Sequence, residues 1–158
     1  MGYRLEAIVG TATLLRTVLS RQPQAPAVLV PLRLGVAMVP MTDELFDAVT
    51  DGASDRPLGF WKLPSGFDHV LARWSCDGPI GYVEADFFGG NGIQRSALWA
   101  NGRLVLGPLV VDERQPWPPE GSPISQVLAR LGVDRSGHHD EFDAAGLAEH
   151  RHTEDWLL

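Results

Sequence analysis

The sequence predicts a single α+β domain: an antiparallel sheet, a meander over about residues 80–111, packed by two or three helices. Three observations carry this. Residues 80–102 (IGYVEADFFGGNGIQRSALWANG) read as a strand, a glycine-dense turn, a second strand and an Asn-Gly pair. Asn101-Gly102 is a favoured two-residue hairpin loop, because both positions of a type I′ turn need positive φ. Ser122-Pro123 then sets a cap and a first-turn proline ahead of Ile124, Val127, Leu128 and Leu131, an apolar stripe at i, i+3, i+4 and i+7.

The remaining elements follow in order. Residues 3–9 form a short first strand. Thr11 caps a helix running to about Gln22, with Leu14, Leu15, Val18 and Leu19 on one side and Pro23 as its stop. Residues 27–41 hold two apolar runs, 28–30 and 34–39, separated by Pro31. Thr42 caps a helix over 42–49, where Asp43 and Glu44 suit the positive end of the helix dipole. Residues 51–57 are a polar loop, and 68–74 a short helix. Strands follow at 80–88, 93–100 and 103–111. A proline-rich loop covers 112–121, the capped helix runs from Ser122 to Leu131, and Gly132 ends it. One layer of helix on one face of the sheet is the simplest way to bury these stripes. Beyond Asp134 the chain turns polar, with Phe142, Leu147 and Trp156 available to dock on the body.

Bulk properties narrow the function classes. A chain of 158 residues is long enough for one domain with its own core. The formal net charge of -7 argues against nucleic acid or an anionic membrane as partner. Cys76 is the one cysteine, which excludes an internal disulfide framework and a multi-cysteine zinc site. No apolar run reaches bilayer length, and the first residues lack the basic region and apolar core of a signal peptide. The expected location is cytoplasmic. Lys62 is the only lysine among 13 basic residues, a codon bias typical of GC-rich genomes.

Candidate sites are few. Glu84 and Asp86 stand two apart on one strand, on the same face and roughly 7 Å apart at Cα. Such a pair suits metal ligation or acid–base work. Solvent-facing carboxylates opposite a core of Val83, Ala85 and Phe87 are the simpler account, and the expectation for both. The Gly89-Gly90-Asn91-Gly92 turn resembles a phosphate cradle, but a strand follows it where a cradle needs a helix N-terminus. Positive φ in a tight connection accounts for those glycines. Gln94, just beyond, is a polar group able to face a cavity or partner. His138, His139, His150 and His152 lie among Asp140, Glu141, Asp143, Glu149, Glu154 and Asp155. No His-Glu-x-x-His spacing is present, and a solvated tail explains them without a metal. Cys76 has no sequence partner marking a nucleophile. The aromatics Phe60, Trp61, Phe67, Trp74, Phe87, Phe88 and Trp99 read as core, or as interface anchors where exposed.

Two blocks together resemble a known pattern. One is Tyr82-Val83-Glu84-Ala85-Asp86-Phe87-Phe88-Gly89-Gly90, continuing through Gln94 to Trp99. The other is Asp140-Glu141-Phe142-Asp143, Gly146-Leu147, His150-Arg151 and Glu154-Asp155-Trp156. They resemble a group of small bacterial proteins, actinobacterial in character, with a YFGG-x-G-x-Q strand–turn–strand and a DEFD…GL…ED-W ending; some of these look like immunity proteins of toxin systems. This chain carries Phe87-Phe88 where the pattern has Tyr-Phe. The resemblance covers the C-terminal half and implies that polar residues of the two blocks meet, Arg151 pairing with Glu84 or Asp86.

The expectation is therefore a non-enzymatic cytoplasmic binding protein without cofactor or metal. It is immunity-like, meeting a toxin-like protein partner through Glu84, Asp86, Gln94, Asp140, Glu141, Asp143 and Arg151. The rival expectation is a small metal-binding protein or hydrolase using Glu84 and Asp86 with His150 or His152. A third is a homo-oligomer that buries the exposed aromatics.

Overall fold

A computed structural model describes residues 2–21, 26–88 and 91–157. The expected helix end at Gln22-Pro23 and the Gly89-Gly90 turn lie outside them. Strand β1 (Tyr3–Thr11) leads into helix α1 (Ala12–Arg21), then β2 (Val30–Pro31), β3 (Val36–Pro40) and α2 (Asp43–Val49). After α3 (Phe67–Trp74) come β4 (Ile80–Phe88), β5 (Asn91–Ala100) and β6 (Arg103–Asp112), then α4 (Pro123–Arg130) and α5 (Glu141–Ala145). The strands form a six-stranded antiparallel sheet ordered β2-β3-β1-β4-β5-β6. The α+β class and the β4–β5–β6 meander stand as the sequence predicts.

Local chemistry fixes the element ends. The Leu14 amide donates to Thr11 Oγ1, Leu45 to Thr42 Oγ1 and Ser125 to Ser122 Oγ, each satisfying an orphan donor of a first turn. Asn101 and Gly102 both take positive φ (55° and 80°), as a type I′ turn requires.

Helices cover both faces of the sheet, not one. On the first face Ile8, Val39, Ile80, Tyr82, Ala97 and Trp99 pack with Leu14, Leu15 and Val18 of α1, Leu45 of α2, and Phe67, Leu71 and Trp74 of α3. On the second, Leu5, Ala7, Val9, Met38, Val83 and Ala85 meet Ile124, Val127 and Leu128 of α4, with Ala144, Ala145 and Leu147. The cause is in the strands: β1 and β4 are apolar on both sides, so neither face can be left to water. Gly81 lets α4 approach closely, since a Cβ there would fall 2.6 Å from Val127 Cγ1.

The C-terminal stretch is part of the body, correcting the expectation of a solvated tail. Asp140 caps α5 through the Asp143 amide (2.8 Å), and Ala144, Ala145 and Leu147 are buried. The Arg4 amide donates to the Arg151 carbonyl (2.7 Å), tying residues 151–153 alongside β1. Phe142 stacks edge-on against Tyr3 and Trp156 against His150. Among the described residues no helix is long and apolar enough to cross a membrane.

Candidate functional site

The carboxylate pair separates into two environments. Glu84 is 0% exposed, so the expected solvent-facing position is wrong for it. It shares its face with Ile80 and Tyr82, and the segment 60–62 lies across it. Both carboxylate oxygens are taken: the Trp61 and Lys62 amides donate to Oε1 and Oε2 at 2.8 and 2.7 Å. Tyr82 donates to the Lys62 carbonyl (2.6 Å), Phe60 packs edge-on against the Tyr82 ring, and Lys62 Nζ pairs with Asp43 (2.6 Å). Glu84 thus latches an irregular segment that would otherwise bury two amides without partners.

Two neighbours on adjacent strands complete the row. Glu6 of β1 stands opposite Glu84, and Arg95 of β5 opposite it on the other side. Glu6, 1% exposed, accepts from Arg4 Nε (2.7 Å) and from the Thr153 hydroxyl (2.5 Å). Arg95 lies with Cζ 4.2 Å from the Trp61 ring centroid, a cation–π contact, and its Nη1 is buried without a hydrogen-bond partner among the described residues. Desolvation raises the Glu84 carboxyl to about 7; the two amides and Arg95 pull it down, and Glu6 pushes it up. Hydrogen bonding to Glu6 holds the Arg4 guanidinium above its usual range.

Asp86, two residues further along, is half-buried and opens onto solvent at the end of the sheet. There a cavity of about 420 Å³ is bounded by Trp61, Asp86, Phe88, Asp112, Glu113 and Arg114. Phe88 is 73% exposed and Trp117, on the following loop, 51% exposed. The Glu113 carboxylate accepts from the Gly92 amide (3.0 Å), and Asp112 caps its own turn through the Arg114 amide (2.9 Å). Gly92 is extended in β5, so positive φ is not what requires it. Its missing Cβ is: a methyl there would lie 1.8 Å from Phe87 Cδ1, inside the ring that covers it.

On the other face, Gln94, Asp140 and Arg151 do meet, in a cavity of about 310 Å³ walled by Tyr3, Phe87, Trp117 and Phe142. The expected pairing of Arg151 with Glu84 or Asp86 does not form: Arg151 borders this cavity, while Glu84 faces the opposite layer and is spent on the 61–62 amides. Glu141 and Asp143 lie in the first turn of α5, Asp143 Oδ2 standing 3.2 Å from His138 Nδ1. His152 lines a cleft with Arg4, Glu6, Asp43, Lys62 and Thr153. Among the described residues no three of His, Cys, Asp and Glu are placed to hold a metal ion. Cys76 is exposed.

Sequence reasoning missed Glu6, Arg95, Thr153 and the exposed Trp117 with its acidic neighbours. A signal existed for the first: Glu6 sits in the apolar run Leu5–Val9, on the side of Ile8. No protein-family model, no curated protein and no solved structure matches the chain.

Proposed function

We propose that the protein is a non-enzymatic binding protein whose surface around Asp86, Phe88, Asp112 and Glu113 engages a basic protein partner. The observation that carries this is the cavity beside Phe88, where a largely exposed ring stands among Asp86, Asp112 and Glu113. A large exposed apolar side chain ringed by charge is the composition of a binding patch, and aromatics supply most of the energy in such patches. The carboxylates, with the net charge of -7, favour a cationic partner by speeding encounter and rejecting acidic surfaces. An immunity-like role, the blocking of a basic toxin surface, follows from the sequence resemblance joined to this charge.

The test compares the wild-type chain with Asp86→Lys and Phe88→Ser in pull-downs from native lysate. Support is a basic protein that the wild type retains, that both variants lose, that leaves with added salt, and whose toxicity coexpression suppresses. Equal capture by all three chains sinks the proposal, as does a stable dimer hiding Phe88 and Trp117.

A further inference from the structure

The cavity between β5, α4 and the C-terminal segment has the chemistry of a small-molecule site. Its walls are the rings of Tyr3, Phe87, Trp117 and Phe142. Gln94, only 5% exposed, lies in it. The Ile124 amide donates to Gln94 Oε1 (3.0 Å), which fixes the oxygen end of the side chain. The other end, Nε2, donates to no group among the described residues. With Oε1 held by the Ile124 amide, Nε2 is the donor that Gln94 offers to the cavity, where an entering acceptor takes the place of water. Ser122 sits beside it; its Oγ accepts from the Ser125 amide (3.2 Å), which leaves the hydroxyl hydrogen free. The cavity therefore holds two uncommitted donors, Gln94 Nε2 and the Ser122 hydroxyl.

The charges of the lining select further. Asp140 uses Oδ1 to cap α5 and keeps Oδ2 as an acceptor, and Arg151 stands at the same cavity. Their opposite signs leave no net charge to attract an ion, while the carboxylate offers a place for a ligand N–H. Few polar groups in an aromatic-walled cavity of this size are the usual make-up of a ligand pocket.

We propose that this cavity binds a small uncharged aromatic carboxamide, its ring between the aromatic walls and its carbonyl oxygen accepting from Gln94 Nε2 and the Ser122 hydroxyl. The ligand's amide hydrogens face Asp140. The proposal does not rest on the protein-binding reading, which uses the adjoining acidic cavity, and either can fail alone.

The experiment is an amide-resolved NMR titration of the full chain with benzamide, toluene and benzoate. Gln94→Glu keeps the oxygen that receives the Ile124 amide while replacing the free donor by an acceptor. Trp117→Ala removes an exposed wall without touching the core. Benzamide is expected to bind saturably in the millimolar range, shifting Gln94, Ser122 and Ala148. Toluene and benzoate should bind at least about tenfold more weakly, as one hydrogen bond to a buried group is worth about that factor. Gln94→Glu should lose benzamide, and Trp117→Ala should weaken it even where the first variant folds poorly. No saturable benzamide shift, toluene binding as tight as benzamide, or undiminished binding by Trp117→Ala would overturn the assignment.

Discussion

Glu84 makes the chain's stability depend on pH in a direction opposite to most carboxylates. Burial raises its carboxyl from 4.5 to about 7 in the folded state. Below pH 4.5 both folded and unfolded chains hold this proton. Between 4.5 and 7 the folded chain keeps it and the unfolded chain does not, so rising pH favours unfolding. At about 1.36 kcal/mol per pH unit, that interval contributes about 3 kcal/mol of stability, present below pH 4.5 and lost as the pH passes 7. The perturbation is Glu84→Gln, which removes the titration, keeps the shape and retains one acceptor for the 61–62 amides. Urea unfolding followed by tryptophan fluorescence from about pH 4.5 to about 8 gives both curves. The wild-type-minus-variant difference should fall by about 3 kcal/mol across that range, the histidines cancelling because both chains carry them. A flat difference, or one that rises with pH, refutes the argument that desolvation outweighs the two amide hydrogen bonds. Glu84→Ala is the companion: it strips partners from two buried amides and should be less stable by about 2–5 kcal/mol near pH 4.5, a deficit that shrinks by the same about 3 kcal/mol as the pH rises past 7.

Four further outcomes follow from the packing. Gly92→Ala drives a methyl into the Phe87 ring and should destabilise by about 1–3 kcal/mol in urea unfolding, with changed NMR shifts at Phe87 and Trp117. Thr153→Val leaves Glu6 Oε2 without its buried hydroxyl donor; a loss of about 1–3 kcal/mol and faster hydrogen exchange at the Arg4 amide are expected. Ser122→Ala removes the cap of α4 and should cost about 1 kcal/mol by thermal unfolding. Leu128→Ala opens a cavity under α4 and should cost about 2–5 kcal/mol, whereas Val110→Ala, half-exposed on β6, should move stability by less than about 0.5 kcal/mol.

What the sequence made legible is what local chemistry decides. Asn101-Gly102, Ser122-Pro123 and Thr42 act through their own backbone and immediate neighbours, so the turn and the helix starts stand where the residues put them. Glu84 was misjudged because alternation along β4 says which side a residue faces, and a residue far away says whether that side is wet. Here the cover comes from 60–62, more than twenty positions earlier, and its amides are the reason a carboxylate can be buried at all. Ile80 and Tyr82 on the same side carried the warning: a strand apolar on both faces is covered on both, and a lone carboxylate inside it must find its donors in the covering layer. The same logic explains the C-terminal segment. Its polar composition suggests solvent, yet Thr153 bonds buried Glu6 and the Arg151 carbonyl takes the Arg4 amide, so charge density in that stretch reports its outer side alone. Gln94 differs from both. One end of its amide is consumed by α4 and the other by nothing the described residues supply, and a site unfinished by its own chain is where a ligand is to be sought.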